Sequence, residues 1–206
     1  MIDLSIKKLN FELEDLKNAN KHFTSNKSYS DSYIEFVKFF KNKERIYKED
    51  FIIGCHLVYG WMPTILHLDL KDFDKDKVLT YLLKVKNEDY LLNINEISCI
   101  IKCVNHSMVG TSKLLHFLNP NIYAIWDSNV YYYFYPEKKS TYGIEKPKLY
   151  LDYHKALKDI TLQKEFDSLY FKIIEFFNLN YEISKYRAIE YLIFEIIKNR
   201  KLVRKI

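Results

Sequence analysis

Glycine and proline are scarce in this chain of 206 residues, with only four of each. All-β sandwiches and barrels need many tight turns, so this scarcity argues against them and for long helices. Cysteine is rarer still. Cys55, Cys99 and Cys103 make an odd count, and although Cys99 and Cys103 stand one helical turn apart, no second Cys/His pair has metal-ligand spacing. Free thiols, no metal and no cofactor are the expectation. Long apolar runs are also missing, and no stretch approaches the length of a membrane span. The opening MIDLSIKKLNFELEDL carries acids and has no uninterrupted apolar core, so it does not read as a signal peptide. The reducing cytoplasm is the expected compartment, with no membrane partner.

The residues that are abundant describe a globular protein. Hydrophobic residues make up 48% and charged residues 29%, which excludes wholesale disorder. The expected fold is all-α, a single compact helical domain over 1–206, with an N-terminal lobe of residues 1–30 as an option before a polar loop at Thr24–Ser30. The net charge of +5 suits a polyanionic partner without identifying one. The end of the chain, Lys198 to Lys205, holds five positive charges and no acid. It reads either as a solvated terminus or as a phosphate contact through Arg200 and Lys201.

Apolar periodicity predicts helices over 3–21, 31–41, 50–59, 74–86, 93–104, 163–177 and 182–199. Asp31 or Ser32 is expected to cap the second. The 50–59 run is apolar almost all round and is expected to be the central, fully buried helix, with His56 inside it. Pro63 disfavours helix at Met62, and Pro147 suits the first turn of a helix. Val130–Tyr135 has high β-propensity, so a strand is an alternative to a helix there.

The stretch 94–130 carries the chemistry. A first helix ends near Val104, a short turn contains Gly110, and a second helix runs through Lys113 to Leu118 before Asn119-Pro120 stops it. Leu114, Leu115, Phe117 and Leu118 fall on one side of that helix, with Ser112, Lys113 and His116 on the other, the expected solvent face. A lysine beside backbone amides at a helix start is expected to have a lowered pKa and a nucleophilic amine. A carboxylate at another helix start, Asp127, would stay ionised and could stabilise a developing oxocarbenium sugar. The plainer readings are a first-turn lysine and a simple N-cap.

Val109-Gly110, Lys113 and Asp127, in that order, resemble the signature of the helix-hairpin-helix DNA glycosylases. The resemblance covers about residues 94–130. It departs in the hairpin's second glycine, where Ser107 or Met108 stands, and in the Lys113–Asp127 interval of 14 residues, which is shorter than usual. It implies a nucleophilic Lys113 and an ionised Asp127 sharing one site, and Val109, Gly110, Thr111 and Ser112 against a phosphate. It also implies a loop side chain that enters the duplex as the target base leaves, for which Trp61 is the candidate. Trp61 as core packing is the alternative. Glu190, among apolar neighbours, reads as the partner of Arg187 or as a site carboxylate.

Three functions follow from these features. The first is a DNA glycosylase/lyase-like enzyme acting on DNA, with RNA left open. The second is a non-catalytic module that binds nucleic acid or protein through the same hairpin. The third is a purely structural interaction protein.

Overall fold

The structure is a computed structural model that describes residues 2–19, 27–62, 64–70, 75–138, 140–179 and 181–203. Among these residues it is all-α, with ten helices and no strand. Leu68 and Val104 form an isolated antiparallel bridge. No helix among the described residues is long and apolar enough to cross a membrane.

Two compact units make up the chain. The first comprises residues 26–125 and 145–148 and holds α2 (Lys27–Lys41), α3 (Lys48–Trp61), α4 (Lys75–Asn87), α5 (Ile94–Cys103) and α6 (Met108–Leu118). Its helix ends follow local chemistry. Asn93 accepts hydrogen bonds from the amides of Asn95 and Glu96, while the Glu96 carboxylate accepts from the Asn93 amide. This reciprocal pairing satisfies amides that have no partner within α5.

The central helix of this unit is α6, which packs against α2, α3, α4 and α5. That corrects the expectation for residues 50–59. On α3, Ile53 is 46% exposed and His56 faces solvent, so one side of this apolar helix is open. On α6, by contrast, Ser112 and His116 are fully buried although both were expected on a solvent face. The His116 imidazole is satisfied at both nitrogens. Nδ1 lies 2.7 Å from the Tyr123 carbonyl and Nε2 lies 3.0 Å from the Tyr33 hydroxyl. A neutral ring that donates from Nδ1 and accepts at Nε2 fits both contacts. A polar side chain can take a core position when partners distant in sequence meet it there.

The second unit comprises residues 1–25, 126–144 and 149–206. It holds α1 (Ile6–Asn18), α7 (Ser128–Phe134), most of α8 (Pro147–Thr161), α9 (Phe166–Phe176) and α10 (Lys185–Val203). The N-terminal helix is therefore part of the unit built by the C-terminal helices. α10 packs against α1, α7 and α9. Val130–Tyr135 contributes to a helix and not a strand, because Asp127 caps α7 and Val130, Tyr131 and Tyr133 are buried. Glu12 of α1 is held by the Tyr133 hydroxyl at 2.5 Å and by Arg200 at 2.6 Å.

Some boundaries moved. α2 starts at Lys27, so Asp31 and Ser32 lie inside it. Thr24–Asn26, Pro63, Arg204 and Lys205 lie outside the described residues.

Candidate functional site

The turn between α5 and α6 is Val104 to Ser107, shorter and earlier than the sequence suggested. Asn105 and His106 both adopt left-handed backbone, with φ of 53° and 52°. They do the work that a second glycine would do, and asparagine is among the residues that tolerate this region best. Asn105 is also anchored from outside the turn. Its side-chain oxygen accepts from the His67 amide, and its side-chain amide donates to the Ile65 carbonyl at 2.9 Å.

Ser107 caps α6, accepting from the Gly110 amide at 3.2 Å. Val109 and Gly110 are therefore helical residues, and Gly110 does not form the turn. Its lack of a side chain serves packing: a Cβ there would stand 2.5 Å from the Tyr59 hydroxyl oxygen and 2.9 Å from a ring carbon. Thr111 and Ser112 are fully buried, and the Ser112 hydroxyl donates to the Val109 carbonyl at 2.9 Å. Of the four residues expected to meet a phosphate, only Val109 retains some exposure.

The first amide of α6 is taken by another acid. Met108 N–H donates to the Glu145 carboxylate, and the Ser107 hydroxyl lies 3.5 Å from that carboxylate's other oxygen. The Tyr59 hydroxyl is buried beside the side chains of Ser107 and Asn105 and near the charge of Glu145. Burial, reinforced by the charge of Glu145, pushes the Tyr59 phenol up to about 12.

Lys113 is the sixth residue of α6. It stands beyond the first turn, where the positive helix end acts most strongly. Its setting comes from an aromatic group instead. Lys113 is half-buried, and its Nζ lies 5.8 Å from the centre of the Trp61 ring. Trp61, also half-buried, packs edge-on to Phe117 at 5.3 Å and against the exposed Tyr29 at 5.6 Å. Trp61 therefore packs on Phe117 while part of its surface stays accessible. The structure brings together Lys113 and Trp61, which the sequence had not paired.

Asp127 belongs to the other unit. It is the N-cap of α7, accepting from the amides of Asn129 and Val130 at 2.9 and 3.0 Å. In the same unit Arg187 is hydrogen-bonded to Glu190 in a buried ion pair, and its guanidinium lies 4.4 Å from the centre of the Tyr191 ring. The Tyr153 hydroxyl is fully buried without a hydrogen-bond partner. Burial first, then the nearby charges of Glu190 and Asp127, raise its pKa well above the ordinary value. Arg200 is engaged with Glu12, and the Lys201 side chain lies outside what is described.

The three thiols are free, with Cys55 and Cys103 buried. Burial, followed by the neighbouring Cys103, raises the Cys55 thiol far above its ordinary range. Among the described residues no three His, Cys, Asp or Glu side chains converge on a point that could hold a metal.

Sequence reasoning missed Glu145, Tyr59 and Tyr29. Nothing local to Glu145 announces that it will meet a helix 37 positions upstream. The Asn105-His106 pair did carry a turn signal, since asparagine and histidine are enriched in left-handed backbone. Comparison with known families, curated proteins and solved structures returned no match to this chain.

Proposed function

We propose that this protein acts on nucleic-acid bases, with Lys113 as a nucleophilic amine and Trp61, flanked by Tyr29, as the surface on which a base rests. The observation that carries the reading is the 5.8 Å approach of Lys113 Nζ to the Trp61 ring. The contact fixes the Lys113 amine beside the Trp61 ring, at the edge of the aromatic surface it would serve. Aromatic faces accept any base by stacking. An unstacked base brought against Trp61 would bring its sugar within reach of the same amine.

The chemistry balances without a cofactor. The neutral amine of Lys113 forms a bond to C1′ of a deoxyribose, and the glycosidic electron pair leaves with the base, which takes up a proton. Opening of the sugar ring then yields an imine between Lys113 and C1′. Asp127 is given the part of the stabilising carboxylate by its order in the sequence and by its resemblance to the glycosylase signature.

Borohydride trapping tests the reading. DNA duplexes carrying a panel of damaged bases and an abasic site, incubated with the protein and borohydride, are expected to yield a covalent adduct. The adduct is expected to disappear in Lys113→Gln, while binding to undamaged DNA changes far less. If the panel yields neither adduct nor base release, the enzyme reading fails. Salt-dependent binding without turnover would then make the chain a nucleic-acid-binding module.

A further inference from the structure

We propose that this protein also cleaves single-stranded RNA, with His67 and His106 exchanging protons and Lys102 stabilising the charge that builds at phosphorus. This goes beyond the base chemistry assigned to Lys113 and does not depend on it.

The site lies where the chain after α3 passes the end of α5. Leu68 bridges Val104. On either side of that bridge the Asp69 amide donates to the Cys103 carbonyl and the Asn105 amide to the His67 carbonyl, each at 3.3 Å. The Asn105 side chain clamps the same segment through the His67 amide and the Ile65 carbonyl. His67 is thereby fixed opposite Asn105, one residue from His106. Facing residues of an antiparallel pair stand about 5 Å apart at Cα. Lys102, in the last turn of α5, borders the same cleft, whose volume of about 590 Å³ lies in the usual range of ligand sites.

His67, Lys102 and His106 are all exposed around this cleft. Asp69, the acid of its lining, is offset by Lys102, so the cleft turns positive when either imidazole is protonated. The turn that presents His106 is held in an unfavourable shape. Asn105 and His106 are left-handed in succession, with φ of 53° and 52°. Strain of this kind persists where surrounding contacts impose it, and it gathers at functional sites.

Two imidazoles and an ammonium suffice for phosphodiester transesterification. One imidazole, neutral, takes the proton of a ribose 2′-hydroxyl, whose oxygen bonds to the adjacent phosphorus. The bond from phosphorus to the 5′-oxygen breaks, and the other imidazole, protonated, supplies that oxygen's proton. The products are a 2′,3′-cyclic phosphate and a 5′-hydroxyl. Lys102 stabilises the negative charge that grows on the phosphoryl oxygens. Side chains do this work, while the first amide of α6 stays with Glu145.

The experiment incubates the intact chain with a single-stranded RNA and EDTA, beside His67→Ala, His106→Asn and Lys102→Ala prepared in the same way. All three positions are exposed and asparagine tolerates left-handed backbone, so the variants should keep the helical circular dichroism. The unaltered protein is expected to leave 2′,3′-cyclic phosphate ends. Each histidine variant is expected to lose roughly a hundredfold or more in rate, and Lys102→Ala roughly tenfold or more. An all-deoxy strand should stay intact, and a deoxy strand with one ribonucleotide should be cut only after it. A 5′-thio leaving group needs no acid, so it should restore cleavage in one histidine variant and not in the other. Intact RNA, cleavage that survives the histidine substitutions, or ends without the cyclic phosphate would overturn the proposal. Borohydride trapping on DNA through Lys113 is read separately, so the two proposals fail independently.

Discussion

Lys113 Nζ stands over the Trp61 ring, 5.8 Å from its centre, and this contact sets apart the two tryptophans of the chain. Trp126 is fully buried and its indole N–H donates to the Ile144 carbonyl at 2.8 Å. Only Trp61 has a surface for a ligand. Single-stranded DNA is therefore expected to quench tryptophan emission, and Trp61→Phe is expected to abolish the quench. Trp61→Ala is expected to weaken binding by about 1–3 kcal/mol, the usual worth of one stacked base. Binding that Trp61→Ala leaves unchanged would remove Trp61 from the base-contacting surface.

Asp127 caps α7 with one oxygen that accepts from two amides. Asparagine offers the same oxygen without the charge. Asp127→Asn is expected to shift stability by no more than a few tenths of a kcal/mol, and Asp127→Ala to cost about 1 kcal/mol. Urea denaturation of both variants checks this. Loss of base release in a stably folded Asp127→Asn protein would isolate a role for the charge; full turnover would leave Asp127 as a cap alone.

Arg187 and Glu190 form an ion pair with side chains 7% and 6% exposed. Removing one partner leaves the other charged in a poorly solvated place. Glu190→Ala is expected to cost roughly 3–5 kcal/mol, while the double variant Arg187→Met/Glu190→Leu is expected to lose much less. Denaturation midpoints of the three proteins decide between this and a minor surface pair, for which the single variant would cost under about 1 kcal/mol.

Tyr59, Tyr123, Tyr133 and Tyr153 all have phenols raised above their ordinary value of 10.0, chiefly by burial. The folded state therefore keeps their protons more tightly than the unfolded state does. Each contribution is whole below pH 10 and declines as pH rises toward that group's folded value, which for Tyr59 is about 12. Tyrosinate absorbance is expected to rise for the exposed tyrosines first. The remaining signal should appear together with loss of the helical circular dichroism. A smooth titration of all eighteen tyrosines near pH 10 with the helices intact would contradict this.

Local features of the sequence determined where many helices begin and end. The Asn93/Glu96 pair, Asp127 and Pro147 each satisfy or remove amides within one turn of themselves, so their effect needs no distant partner. The all-α class followed from few turn residues and long apolar periods for the same reason. The Arg187–Glu190 pair was legible too, since residues three apart on one helix face each other. Which helix stands at the centre was not legible. An apolar helix such as α3 can lie at a surface, while α6 carries Ser112 and His116 into the core. His116 is admitted there by Tyr33, 83 positions away, and Gly110 is required by the ring of Tyr59. The Trp61–Lys113 contact and the Glu145 carboxylate on Met108 are of the same kind. They arise from side chains that chain folding brings together across long separations. Hydrophobic period and capping chemistry act over a few residues; burial, partner choice and the surroundings of an amine depend on distant packing, and only the tertiary structure decided them.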